Sequence, residues 1–296
     1  MKYNAKILLF GEHTVIKGSQ ALAMPISKHF GSWQYALDSM EKQTLQQKLP
    51  LLVHYLNEQS LDRVLDLATF SKDLEAGLYF KSSIPTGYGM GSSGALCAAI
   101  ADRYQLQLPK TYTQLKQLFG KMESFFHGTS SGMDPLVCYL NYPVLFSSNG
   151  DVDQVSLTKL ETSKKGTDWA IFLLDTHIKR ETAPYVNGFL ERCKRASYNH
   201  QCKEELVPLV NQAIQFSIIG NWEKLFKSWE GISHLQYDLF DFMIPDDFKS
   251  IWKDGLVGTD FKLKICGAGG GGYLLGICED FKQVENEIPH SLMRVL

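Results

Sequence analysis

Apolar positions follow two periods along the chain, and the change of period separates strands from helices. The apolar run over Tyr3–Phe10 predicts a strand entering GEHTVIKGSQ, whose glycines frame a hairpin-like turn before ALAMPIS, a second predicted strand. In LQQKLPLLVHYLNEQ the apolar residues sit at helical spacing around Pro50, so a helix is expected to begin near the proline. LEAGLYFKSSIP is expected to be a strand that delivers the chain into a glycine loop, GYGMGSSG. SSGALCAAIADRYQ then reads as a helix with Ser92 or Ser93 at its N-cap. YTQLKQLFGKMESFFHG reads as a helix stopped by Gly128, after which SSGMDPLVCYLNYPVLFS is expected to return through loop to strand. DWAIFLLDT predicts a buried strand. VNGFLERCKRASYNHQ, EELVPLVNQAIQFSI and WEKLFKSWEGISHLQYDLF are helical by period, and FKLKICGAGGGGYLLGIC closes as strand, glycine turn, strand.

At 296 residues the chain exceeds a comfortable single core, and it turns polar from Asn149 to Thr167, so two domains are expected, 1–155 and 156–296. Hydrophobic residues at 44% and charged residues at 21% are ordinary globular values. The apolar run near the start is shorter than a signal-peptide core and no later run approaches a membrane span, which sets the expectation of a cytoplasmic protein. A net charge of -2 with interspersed signs gives no footprint for nucleic acid or an anionic membrane, so any anionic ligand has to be met locally. The 6 cysteines show neither a CxxC pair nor zinc-ligand spacing and are expected to be free, mostly buried thiols.

The glycine loops carry the candidate chemistry. GYGMGSSG lacks the lysine of a Walker loop, and its GxGxG spacing is not the dinucleotide fingerprint. A bare loop feeding a helix start still offers N–H groups and the positive end of the helix dipole to an anion, which suits phosphate. Its serine hydroxyls are suitable ligands for phosphate or a hard cation such as Mg²⁺. A glycine turn packed tightly under the helix is the alternative, and CGAGGGGY reads equally well as an overlong hairpin turn.

Three segments in order, AKILLFGEHTVIKG, IPTGYGMGSSGA and KICGAGGGGY, resemble the three motifs of the galactokinase, homoserine kinase, mevalonate kinase and phosphomevalonate kinase (GHMP) family, and the resemblance spans the chain. Within that family GEHTVIKG, HGTSSGMDPLV and GISHLQYDLF are most similar to mevalonate kinase. The resemblance implies an α+β fold: a ribosomal-protein-S5-like N-terminal domain that binds ATP, and a ferredoxin-like C-terminal domain. It implies ATP- and Mg²⁺-dependent phosphorylation of a small-molecule alcohol, with mevalonate favoured and 5-phosphomevalonate, an intermediate of isoprenoid biosynthesis, as product. Phosphomevalonate, homoserine or a sugar are the alternative acceptors, a diphosphomevalonate decarboxylase is a further alternative, and a homodimer is compatible with the family. Carried over residue by residue, Asp134 is the base or orienting carboxylate and Lys6 lies beside it. Pro85, Gly87, Gly89, Gly91, Ser92, Ser93 and Gly94 surround the nucleotide phosphates, and Ser93 with Glu123 holds the metal. Glu12, His13, Gly267 and Ala268 face the acceptor. The chain departs from the family pattern at YNAK, which lacks the usual proline and glycine, at Ser130 in place of proline, at Cys266 in place of threonine, and over DFMIPDDFKSIWKDGL.

Overall fold

The structure, a computed structural model, describes residues 1–35, 48–157 and 167–296. The opening LQQ of the first predicted helical stretch and most of the polar ETSKKGTD run lie outside the described residues. The chain forms two compact units that interleave along the sequence. The first takes Met1–Lys6, Met24–Pro85 and Met90–Tyr142; the second takes Ile7–Ala23, Thr86–Gly89 and Pro143–Leu296.

Strands β1 (Tyr3–Phe10) and β2 (Ala21–Tyr35) each contribute residues to both units. In the first unit they are followed by helices α1 (Leu49–Glu58) and α2 (Leu67–Glu75), strand β3 (Leu78–Ser82), and helices α3 (Ser92–Tyr104), α4 (Tyr112–His127) and α5 (Met133–Leu140). The end of β2 pairs antiparallel with β3, from Gly31 opposite Ser82 to Tyr35 opposite Leu78. Helix α1 has its proline in the first turn, as the sequence requires. Part of the stretch expected to be strand differs: Leu74 and Glu75 end α2, which the Asp66 side chain caps by accepting from the Thr69 N–H at 2.9 Å.

Helix α3 is buried nearly all round, with Ala95 to Ala101 at 2% exposure or less, because its small side chains let neighbours approach. A Cβ on Gly94 would stand 2.9 Å from the Asp134 carbonyl carbon, so α5 lies directly on α3 there. Helix α5 itself is a correction: DPLVCYL was expected as loop and strand, but Pro135 sits in a first helical turn, where proline is tolerated. The N-cap of α3 is a second correction. Gly91, at φ 74°, occupies that position, and the Ser93 hydroxyl is committed elsewhere.

In the second unit the GEHTVIKG segment forms a short 3₁₀ turn, Thr14–Lys17, rather than a hairpin turn. Ala21–Ala23 of β2 pair with β4 (Val144–Phe146), which pairs with β5 (Val152–Gln154). The remainder comprises β6 (Ala170–Asp175), α6 (Ala183–Arg192), α7 (Ala196–His200) with a π-helical turn after it, α8 (Val207–Ile219), α9 (Trp222–Leu239), α10 (Lys249–Val257), β7 (Phe261–Ile265), β8 (Tyr273–Cys278), α11 (Phe281–Glu287) and β9 (Leu292–Arg294). Four of these strands form an antiparallel sheet in the order β7-β8-β6-β9. Helix α9 is joined to β7 by a buried bond in which the Ile265 N–H donates to Gln236 Oε1 at 2.8 Å, which fixes the strand end from which the second glycine loop departs. All 6 cysteines are free, and all but Cys193 are buried. No described helix is long and apolar enough to cross a membrane.

Candidate active site

Chemistry-bearing side chains gather separately in each unit. In the first, Lys6 Nζ stands 2.7 Å from Asp134 Oδ2; the lysine side chain is 6% exposed and the carboxylate 38%. Two elements fix this pair. Strand β1 carries Lys6, whose N–H donates to the Met90 carbonyl at 3.0 Å, and the first turn of α5 carries Asp134. Gly91 leaves the space that the lysine stem fills, since a Cβ there would lie 2.9 Å from Lys6 Cγ. The carboxylate, far more exposed than the lysine beside it, is left open to a ligand.

Beside the pair, Ser93 Oγ donates to Glu123 Oε1 at 2.8 Å and Ser130 Oγ donates to Glu123 Oε2 at 2.5 Å. His127 Nε2 lies 3.0 Å from Ser93 Oγ. Burial first, and the charge of Asp134 second, push the Glu123 carboxyl up to about 7 against the opposing pull of the two serines and Lys6. A cation bound at this carboxylate would offset both causes, so the adjacent hard oxygens of Ser93 and Glu123 fit Mg²⁺. Among the described residues no cluster of three His, Cys, Asp or Glu side chains could hold a metal, so the remaining ligands of such an ion would have to be phosphate oxygens and water. Ser92 and Gly94 flank Ser93 in the first turn of α3, whose leading N–H groups have no preceding carbonyl to bond, and Pro85 closes an earlier segment of the same unit.

In the second unit Glu12 and His13 are buried at the end of β1. Glu12 Oε1 accepts from Lys264 Nζ, both side chains are sealed from solvent, and Glu12 Oε2 is buried with no protein partner. Burial raises the Glu12 carboxyl, and Lys264 opposes that rise. His13, at φ 57°, bonds through Nε2 to the Ala268 carbonyl at 3.1 Å and packs against the rings of Phe189 and Phe240; burial pushes it down to about 4, so it is neutral at pH 7. Gly89 and Gly267 both abut the Arg180 guanidinium, where a Cβ would stand 2.0 and 2.6 Å from Nη2, and Arg180 Nη1 donates to the Gly269 carbonyl at 3.0 Å. Gly87 accepts from the Arg180 N–H at 3.1 Å. The structure therefore groups Lys6, Asp134, Gly91, Gly94, Ser93 and Glu123 in one unit, and Glu12, His13, Gly87, Gly89, Gly267 and Ala268 in the other.

Arg180, Lys264 and Ser130 were not singled out as site residues by the sequence. A signal existed for one of them: Lys264, like Lys262, alternates with apolar residues in the predicted strand FKLKI, while Arg180 lies four positions past DWAIFLLDT with nothing local to mark it.

Residues 55–142 match the family described as GHMP kinases N terminal domain. The mevalonate kinase of Thermococcus sibiricus is 23% identical over 319 residues, which cover 95% of this chain and 89% of the relative. Among solved structures, the L. major mevalonate kinase in complex with R-mevalonate superposes with a TM-score of 0.65 at 18% identity, covering 99% of this chain and 94% of that one. The Streptococcus pneumoniae phosphomevalonate kinase in complex with phosphomevalonate and AMPPNP gives a TM-score of 0.66 at 15% identity, covering 100% and 99%. At such identities the superpositions establish a shared fold.

Proposed function

We propose that this chain, which belongs to the GHMP kinases, transfers the γ-phosphoryl group of ATP to mevalonate, giving 5-phosphomevalonate. The observation that carries this reading is the Lys6–Asp134 pair at 2.7 Å, beside a glycine-capped helix start and the Ser93–Glu123 hydroxyl–carboxylate pair. Phosphoryl transfer to an alcohol is chiefly a matter of positioning and charge neutralisation, and these are the groups it needs.

Asp134, with its carboxylate half-exposed, accepts a hydrogen bond from the acceptor hydroxyl and takes its proton as the oxygen attacks phosphorus. Lys6, 2.7 Å from that carboxylate, stabilises negative charge on the attacking oxygen. The bare backbone of Gly91 and the first turn of α3 bind phosphate oxygens through N–H groups at the positive end of the helix. Ser93 and Glu123 would hold Mg²⁺, which when bound neutralises charge on the phosphates. In the second unit, Glu12 Oε2 is a buried acceptor held in place by Lys264, and His13 is a neutral imidazole fixed by Ala268.

Turnover of Asp134→Asn should fall by about 10²–10⁴-fold, the range for loss of a general base, while its melting temperature and its affinity for an ATP analogue stay at the parent values. A variant that keeps most of its turnover removes Asp134 from the chemistry. The acceptor is tested by ADP release across mevalonate, phosphomevalonate, homoserine and galactose, with the highest kcat/KM expected for mevalonate. A higher value on another acceptor would overturn the substrate while leaving the reaction class standing.

A further inference from the structure

Ser130 stands where the resembling family has proline, and here its side chain makes bonds that a proline cannot. Its hydroxyl proton goes to Glu123 Oε2 at 2.5 Å, and its oxygen accepts from the Gly132 N–H at 3.0 Å. One proton out and one lone pair in makes the contact directional. Because Ser93 occupies Oε1 of the same carboxylate, Glu123 is gripped by a hydroxyl on each oxygen, and its rotamer is fixed from two directions. Bare backbone also seats the loop on α4: a Cβ on Gly132 would fall 1.9 Å from the Lys116 carbonyl oxygen, and one on Gly120 would fall 3.0 Å from the Ser130 carbonyl oxygen. The same loop runs directly into the first turn of α5, which carries Asp134.

We infer that Ser130 is a positioning residue of the metal–nucleotide site: it holds the Glu123 carboxylate in the orientation in which Ser93 and Glu123 present their oxygens to the ion, and ties that carboxylate to the segment bearing Asp134. The inference rests on the reading of Glu123 as the metal carboxylate. Partners that orient a ligand typically alter metal affinity by about 10–100-fold when removed.

The test measures Mn²⁺ binding to the protein–ADP complex by water proton relaxation, with melting temperatures alongside, in the parent, Ser130→Ala, Ser130→Thr, Ser130→Pro and Glu123→Gln. Ser130→Ala and Ser130→Pro are expected to weaken Mn²⁺ binding by about 10–100-fold with little change in melting temperature, while Ser130→Thr, which keeps the hydroxyl, stays close to the parent. In turnover the Mg²⁺ concentration for half-maximal rate rises in the same order and the KM for the acceptor does not move. Parent-like Mn²⁺ binding by Ser130→Ala, or a Ser130→Thr as weak as the alanine variant, overturns the positioning role. If Glu123→Gln weakens Mn²⁺ binding and Ser130→Ala does not, only the role of Ser130 fails. If neither variant changes it, the assignment of Glu123 to the metal fails and takes this inference with it.

Discussion

His13 is held in a conformation few side chains accept. Its φ of 57° lies in the left-handed region, its ring is buried between Phe189 and Phe240, and its Nε2 is bonded to the Ala268 carbonyl. Burial depresses its pKa from 6.5 to about 4, so the unfolded chain takes up the proton first as the pH falls. Stability that is complete above pH 6.5 is therefore lost through the window down to about 4, by about 2–3 kcal/mol. Asparagine tolerates the same backbone region and does not titrate. Between pH 7 and 4.5, urea unfolding should show the parent losing more stability than His13→Asn by roughly that amount, about 2–3 kcal/mol; equal losses would mean His13 is not the buried neutral base described here. The Glu12–Lys264 pair makes a second prediction at this scale. Breaking a sealed ion pair on one side leaves an uncompensated charge, so Lys264→Met should cost about 3–5 kcal/mol. Glu12→Gln combined with Lys264→Met should cost less than Lys264→Met alone, which chemical denaturation of both proteins can check.

At the scale of elements, the glycine loop ahead of α3 is closely packed, as one of the two readings of the sequence expected. Gly91 caps the helix with a left-handed backbone, and its missing side chain makes room for Lys6. Gly91→Ala therefore does more than block the approach of a phosphate: it strains the cap and pushes the Lys6 stem away from Asp134. A fall in kcat is expected together with weaker ATP-analogue binding, and a loss of stability of about 1 kcal/mol measured by denaturation. A large drop in melting temperature with unchanged kcat and nucleotide affinity in the folded fraction would reduce Gly91 to a packing residue. The strand Tyr3–Phe10, the helix ended by Gly128 and the strand pair around the second glycine run were legible because their period and their stop signals are local. Helix α5 was not, since PLVCYL is apolar without a clear period and only its packing on α3 and α4 decides for a helix.

For the whole molecule, the interleaving of the two units is the feature a linear reading misses. The second unit takes its β4 partner, Ala21–Ala23, from near the start of the chain, together with the segment carrying Glu12 and His13. A fragment spanning 143–296 would thus leave β4 unpaired on that side and remove the partner of buried Lys264. It should show poor amide dispersion by NMR and no cooperative melt; a well-dispersed, cooperatively unfolding fragment would show that the unit does not depend on residues 7–23. What the sequence determined by itself was the class of element along most of the chain and the absence of paired cysteines, because periodicity, caps and spacing are properties of neighbouring residues, whereas Lys6, Asp134, Ser93 and Glu123 were singled out as chemistry worth testing by the family resemblance of the ordered motifs. Only the tertiary structure could decide that Gly91 faces Lys6, that Gly89 and Gly267 share Arg180, that Ser130 closes on Glu123, and that Lys264 meets Glu12 from 252 positions away. Contacts of that kind depend on how packed elements exclude water and satisfy buried charge, and no local pattern encodes which distant residue will be the partner.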